Sequence, residues 1–173
     1  MKAENAPSGA VPLSEAMKTG RLPLDEVLAV GSQVAGALAR LHARGIVHRG
    51  LRPGAILYDA AGRRAWLADF AGSDAAPPTA APGTAGSAAQ LVYVSPEQTG
   101  RIDRAVDPRS DLYALGIVLY EALLGAPPFR SDDALEQIHW HLAGVAHPPS
   151  EIDGAIPAIV GELVLKLLSK APA

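Results

Sequence analysis

The chain has 173 residues, 49% hydrophobic and 19% charged, with a net charge of −3 and no cysteine. That length buries one sizeable core. The mild acidity leaves no electrostatic footprint for nucleic acid or an anionic membrane, and the missing thiols exclude disulfides, thiolate catalysis and cysteine metal sites.

Residues 1–10 read as a flexible tail without an apolar run of signal-peptide length. A short helix is predicted around Leu13–Lys18. From Leu24 to Arg44, Val27, Val30, Val34, Leu38 and Leu41 recur at helical spacing, with Pro23 at the start and Gly45 past the end. The runs "GAILYD" and "RRAWLADF", joined by "AAGR", read as a β-hairpin, with Arg63 and Arg64 in a solvated turn. Residues 72–89 hold no large side chain and one charge, which predicts a long flexible loop.

Ser110–Leu124 is apolar on most sides and reads as a central buried helix. The surrounding run 112–129 carries Glu121 and closes on Pro127 and Pro128, so it is no bilayer span. In "RSDDALEQIHWHLAG", Ser131 is the expected helix N-cap, with Asp132 and Asp133 favourable against the dipole. A last amphipathic helix opens at Pro157. No internal repeat is visible, and a cytoplasmic location is the expectation.

The order of these elements and motifs is specific. A helix leads to "HRGLRPGAIL" (His48–Leu57), then a hairpin ending "ADFAG", a long loop, "SPE", and "RSDLYALGIVLYEALLGAPPF". This resembles the C-terminal lobe of a eukaryotic-type Ser/Thr protein kinase. The fold it implies is mainly α with a small β-hairpin. Residues 11–173 would form the kinase-like C-lobe, truncated before the last helices. The N-lobe would be absent, since about twenty residues precede the first long helix. The wording of "YVSPEQTGRIDRAVDPRSDLYALG" and "PPFRSDDALEQIHWHLAG" is similar to the kinase-like domain of large bacterial sensor proteins that also carry an AAA-type ATPase and a histidine kinase.

What the resemblance implies for chemistry is mostly loss. Phosphoryl transfer is largely positioning and electrostatic stabilisation, and the family's loop reads H-R-D-L-K-P-x-N. Here the base position is Gly50, the Asn that holds a second Mg²⁺ is Ala55, and the Lys is Arg52, which keeps charge but changes geometry. Asp69 remains as the one candidate for Mg²⁺ and for ATP, although the Gly of the D-F-G motif has become Ala71. Ala89 and Gln90 stand where related domains carry a Gly-Thr pair that braces the catalytic residues. No competent catalytic residue is expected, and His48, Arg49, Arg52 and Ala55 are vestigial. His48, Phe70, Glu97 and Asp111 match positions that organise the lobe. In the family the Asp111 position caps the loop backbone, and the Glu97 position pairs with an arginine expected beyond "LLSKAPA".

Other residues have plainer readings. His139 and His141 are two apart on a helix and point to different faces, which argues against a metal pair. His48 is read as a core histidine rather than an acid–base group. Thr79, Thr84 and Ser87 lie where kinases are phosphorylated, yet in a stretch read as passive. The expected function is a degenerate, pseudokinase-like lobe acting as a regulatory or protein-interaction module in signalling. The alternatives are a Ser/Thr kinase family member with residual ATP binding and phosphotransfer, using an N-lobe supplied elsewhere, and a non-functional helical fragment. No cofactor is required, with Mg-ATP bound weakly at most. The partners would be proteins or adjacent signalling domains, with neither nucleic acid nor membrane involved. Self-association is expected through the face around Ile56, Leu57 and Leu67–Phe70, which should expose apolar area.

Overall fold

The computed structural model describes residues 9–68 and 88–170. Expectations placed on Asp69, Phe70, Ala71, Thr79, Thr84 and Ser87 lie outside the described residues, as do those on residues 1–8 of the tail and most of the 72–89 loop.

The first long helix, α2 (Leu24–His42), follows β1 (Val11–Pro12), α1 (Leu13–Ala16) and a 3₁₀ turn at Met17–Thr19. Its charges suit its dipole, with Asp25 and Glu26 in the first turn and Arg40 and His42 in the last. Val27, Val30, Val34 and Leu38 form the buried stripe that the spacing predicts. A 3₁₀ turn at Pro53–Ala55 then leads into the hairpin of β2 (Ile56–Asp59) and β3 (Arg64–Leu67).

The sheet is antiparallel in the order β1-β2-β3, with Val11 opposite Tyr58 and Ile56 opposite Leu67. Gln33 of α2 ties the hairpin down. Its Nε2 donates to the Arg63 carbonyl at 2.9 Å, and its Oε1 accepts from the Ala65 N–H at 3.1 Å. The strand β1 was not expected, because two residues carry no period. It changes one conclusion. With β1 and α1 closed over β2, Ile56 is completely buried and Leu57 and Leu67 are half-buried. The open apolar face expected at these positions is therefore corrected for Ile56.

The chain returns at α3 (Ala88–Leu91), inside what read as loop, and passes a 3₁₀ turn at Pro96–Thr99. The central helix α4 (Pro108–Leu124) starts before Ser110, because the Asp107 side chain accepts from the Arg109 N–H at 2.7 Å and Pro108 suits the first position. Gly125 closes it at φ 80°, the left-handed conformation that glycine adopts cheaply. Twelve of its seventeen residues are buried, packed against α2 and α7 (Ala158–Leu167).

Between them lie α5 (Ala134–Ala143) and α6 (Pro149–Ile152). The cap of α5 is Asp133, which accepts from the Glu136 N–H at 2.8 Å. Ser131 instead accepts from the Asp133 N–H at 3.0 Å, two residues too early to cap. Among the described residues no helix is long and apolar enough to cross a membrane.

Candidate functional site

The loop at His48–Ala55 leaves α2 through Gly45, at φ 71°, where the Ile46 N–H reaches back to the Leu41 carbonyl at 3.1 Å. Its anchor is Asp111 in the first turn of α4, 1% exposed. One carboxylate oxygen accepts from the His48 N–H and the other from the Arg49 N–H, both at 2.8 Å, and His42 Nε2 lies 2.8 Å from the first. A buried carboxylate is costly unless its lone pairs are used, and here three donors use them.

Arg49 has φ 61°, a left-handed conformation disfavoured for a side chain of its size. It persists because both its backbone groups are held. The N–H goes to Asp111, and the carbonyl accepts from Gln98 Nε2 at 2.8 Å. Gln98 is itself fixed, accepting from the Ser95 N–H at 3.1 Å. His48 is 2% exposed, and its Nδ1 accepts from the Gly50 N–H at 3.3 Å. Its ring is folded into the loop's own turn. Gln98 and His42 escaped sequence reasoning, since a glutamine after "SPE" and a histidine in a last helical turn look unremarkable until the fold brings them to this loop.

At Gly50 a β-carbon would find its nearest neighbour, the His48 carbonyl oxygen, 4.0 Å away. The backbone has room for a side chain that the sequence does not supply. Ala55 is fully buried, with its N–H on the Arg52 carbonyl and its own carbonyl on the Ala68 N–H. Its methyl offers no ligand where the resemblance implies a second Mg²⁺, so the described loop residues do not fit a two-metal nucleotide site. Arg52 is exposed, with Nη1 3.5 Å from the Gly50 carbonyl.

At Arg52 opens a cleft of about 410 Å³, lined also by Ser14, Met17, Lys18, Tyr93 and Glu121. The Tyr93 hydroxyl donates to Glu121 at 2.6 Å. Burial raises the pKa of both groups, and the shared bond favours the Glu121 carboxylate while holding the Tyr93 proton in place. Glu97 accepts a hydrogen bond from Ser110 Oγ.

The two histidines of "HWH" part company. His139 is exposed and His141 fully buried, and no three acidic or histidine side chains among the described residues cluster to hold a metal. His141 belongs to a polar chain inside the core. Gln137 accepts from the Ser131 N–H at 2.9 Å and donates to the Phe129 carbonyl at 3.3 Å, which orients its amide. Its second N–H therefore meets His141 Nε2 at 3.0 Å, and the ring proton sits on Nδ1, 3.0 Å from the Tyr113 hydroxyl. Burial, then the nearby Lys170 cation, pushes the His141 pKa down to about 4.

The protein kinase domain model matches residues 4–172. The chain is 38% identical to the serine/threonine-protein kinase PknA of Mycobacterium tuberculosis over 166 residues, 94% of this chain and 36% of that kinase. It is 34% identical to a probable serine/threonine-protein kinase of Clostridium perfringens over 153 residues, 88% of this chain and 22% of that protein. A stretch of 88 residues, half of this chain and 2% of the relative, is 47% identical to hybrid signal transduction histidine kinase G of Dictyostelium discoideum. The chain thus spans about a third of the length of the PknA relative.

Proposed function

This chain belongs to the protein kinase domain family, and from that premise we propose that it is a degenerate member serving as a regulatory or protein-interaction module in signalling. One observation carries the reading. The scaffold of the catalytic loop is fully braced by Asp111, His42 and Gln98, while Gly50 and Ala55 carry no group able to accept a proton or bind a metal. General-base assistance is typically worth about 10²–10⁴-fold, and position 50 supplies none. We read residues 11–173 as the helical lobe, with Asp69 its remaining Mg²⁺ candidate and His48, Phe70, Glu97 and Asp111 its organising positions. The cleft beside Arg52, with carboxylate and cationic walls, suits a protein segment. The similarity to hybrid signal transduction histidine kinase G supports a setting in a larger signalling protein.

Residual phosphotransfer is a second reading, favoured by the identity to kinases named for serine and threonine. A thermal shift with ATP, with and without Mg²⁺, on this chain and on Asp69→Ala separates the two. Ligand at a hundred times its dissociation constant stabilises by about 2.7 kcal/mol. The regulatory reading expects no Mg²⁺-dependent shift. A shift lost in Asp69→Ala favours residual nucleotide chemistry, and phosphotransfer to a generic protein substrate overturns the degenerate reading.

A further inference from the structure

A second pocket opens where the linker into α2, the end of α4 and the connection from α6 to α7 meet. It measures about 150 Å³ and shares no lining residue with the cleft at Arg52. Leu22, Leu24, Leu123 and Ile156 make its apolar wall. Leu22, Leu123 and Ile156 are buried members of the main core, and Leu24 packs against it. The lining residues bring only two polar side chains, Arg21 and Asp153, and these form an ion pair with each other.

The walls are pinned through their backbones. The Leu22 N–H donates to the Ala122 carbonyl at 2.8 Å, which fixes the linker on α4. The Ile156 N–H donates to the Asp153 carbonyl at 3.0 Å, and Asp153 Oδ1 accepts from the Ala155 N–H at 2.9 Å. The Arg21–Asp153 pair then joins the linker to this turn across 132 residues of chain. Side chains anchored in this way do not close the gap, and its lining atoms forgo the dispersion contacts that a filled site would give.

We infer that this pocket is a binding site for a small, neutral, apolar ligand of about the size of a benzene ring. Volume sets the size, since a cavity of about 150 Å³ walled by apolar side chains takes up benzene. The lining sets the polarity. A polar ligand would have to compete for Arg21 and Asp153, which are committed to each other, and would otherwise desolvate its donors and acceptors against aliphatic carbon. The bound ring would touch Leu24 of α2 and Leu123 of α4, the two helices that carry His42 and Asp111 of the loop anchor.

The test is a titration of the whole chain with benzene and with pyrazine, followed by the methyl resonances. With benzene, the methyls of Leu22, Leu24, Leu123 and Ile156 should move together along one saturating curve. Those of Val145 and Ile159, 85% and 70% exposed, are the surface references and should stay in place. Pyrazine is the same ring with two nitrogens in place of carbon, and it should bind about tenfold more weakly or worse. In Leu22→Phe the added ring atoms occupy the gap, so benzene binding should weaken by about tenfold or more. Where that variant loses its cooperative melt, the contrast between benzene and pyrazine on the unaltered chain decides. No movement at the four lining residues in benzene-saturated buffer, equal movement at Val145 and Ile159, pyrazine binding as tight as benzene, or full benzene affinity in a folded Leu22→Phe overturns the inference.

Discussion

His141 is a single residue whose burial sets a pH dependence. Its folded-state pKa of about 4 lies below the unfolded value near 6.5. At neutral pH both states hold the ring neutral and nothing is lost. As pH falls below about 6.5 the unfolded chain takes up the proton first, so stability drops progressively until about pH 4, by about 3 kcal/mol in all. Urea unfolding at pH 7 and pH 4.5 should show this fall, and His141→Gln should flatten it. Asp111 acts differently, through what it leaves behind. Asp111→Ala strips the His48 and Arg49 N–H groups and His42 of a common acceptor and leaves Arg49 strained. A loss of about 3–5 kcal/mol is expected from removing such a buried acceptor, read as a lower urea midpoint at unchanged slope. Neither residue announced this in the sequence: for His141 the spacing from His139 said only that the two point to different faces, and the importance of Asp111 was legible only through the family resemblance.

Two helical glycines show how packing overrides propensity. In α2 a β-carbon at Gly36 would meet only Arg40 Nη1, at 3.7 Å, so Gly36→Ala should stabilise by about 0.5–1 kcal/mol through the unfolded chain. In α4 a β-carbon at Gly116 would lie 2.9 Å from the Leu167 β-carbon and 3.0 Å from Leu168. Gly116→Ala should therefore destabilise, because α7 must move away from the central helix, and the thermal midpoints of the two variants should shift in opposite directions. Helix α2 was legible because its apolar stripe is long and its ends are marked. The start of α5 was misplaced because Ser131, Asp132 and Asp133 are all competent caps, and only the path of the chain selects Asp133. The strand β1 was invisible because its two residues become a strand only by pairing with Tyr58 and Leu57.

Across the whole molecule one core joins α1, α2, the hairpin, α4 and α7, from Leu13 and Val34 to Ile117 and Val164. A single cooperative unfolding transition, coincident by backbone and aromatic signals, is the expected outcome; separate transitions would favour the reading as a non-functional fragment. Among the described residues, exposed apolar side chains include Ile152, Ile159 and Leu163 on α6 and α7, and Val11 on β1 of the sheet. By itself the sequence determined the order of helices and hairpin, because long apolar periods and turn residues act locally. It also determined that Gly50 and Ala55 bring no polar side-chain group to the loop, because a group missing from the sequence is missing in any fold. Tertiary structure alone decided that Ile56 is covered, that Arg49 is held from both sides, and that Lys170, His141 and Tyr113 form one polar chain. These depend on groups 28 to 63 residues apart in sequence, and no local pattern encodes which distant donor meets which acceptor.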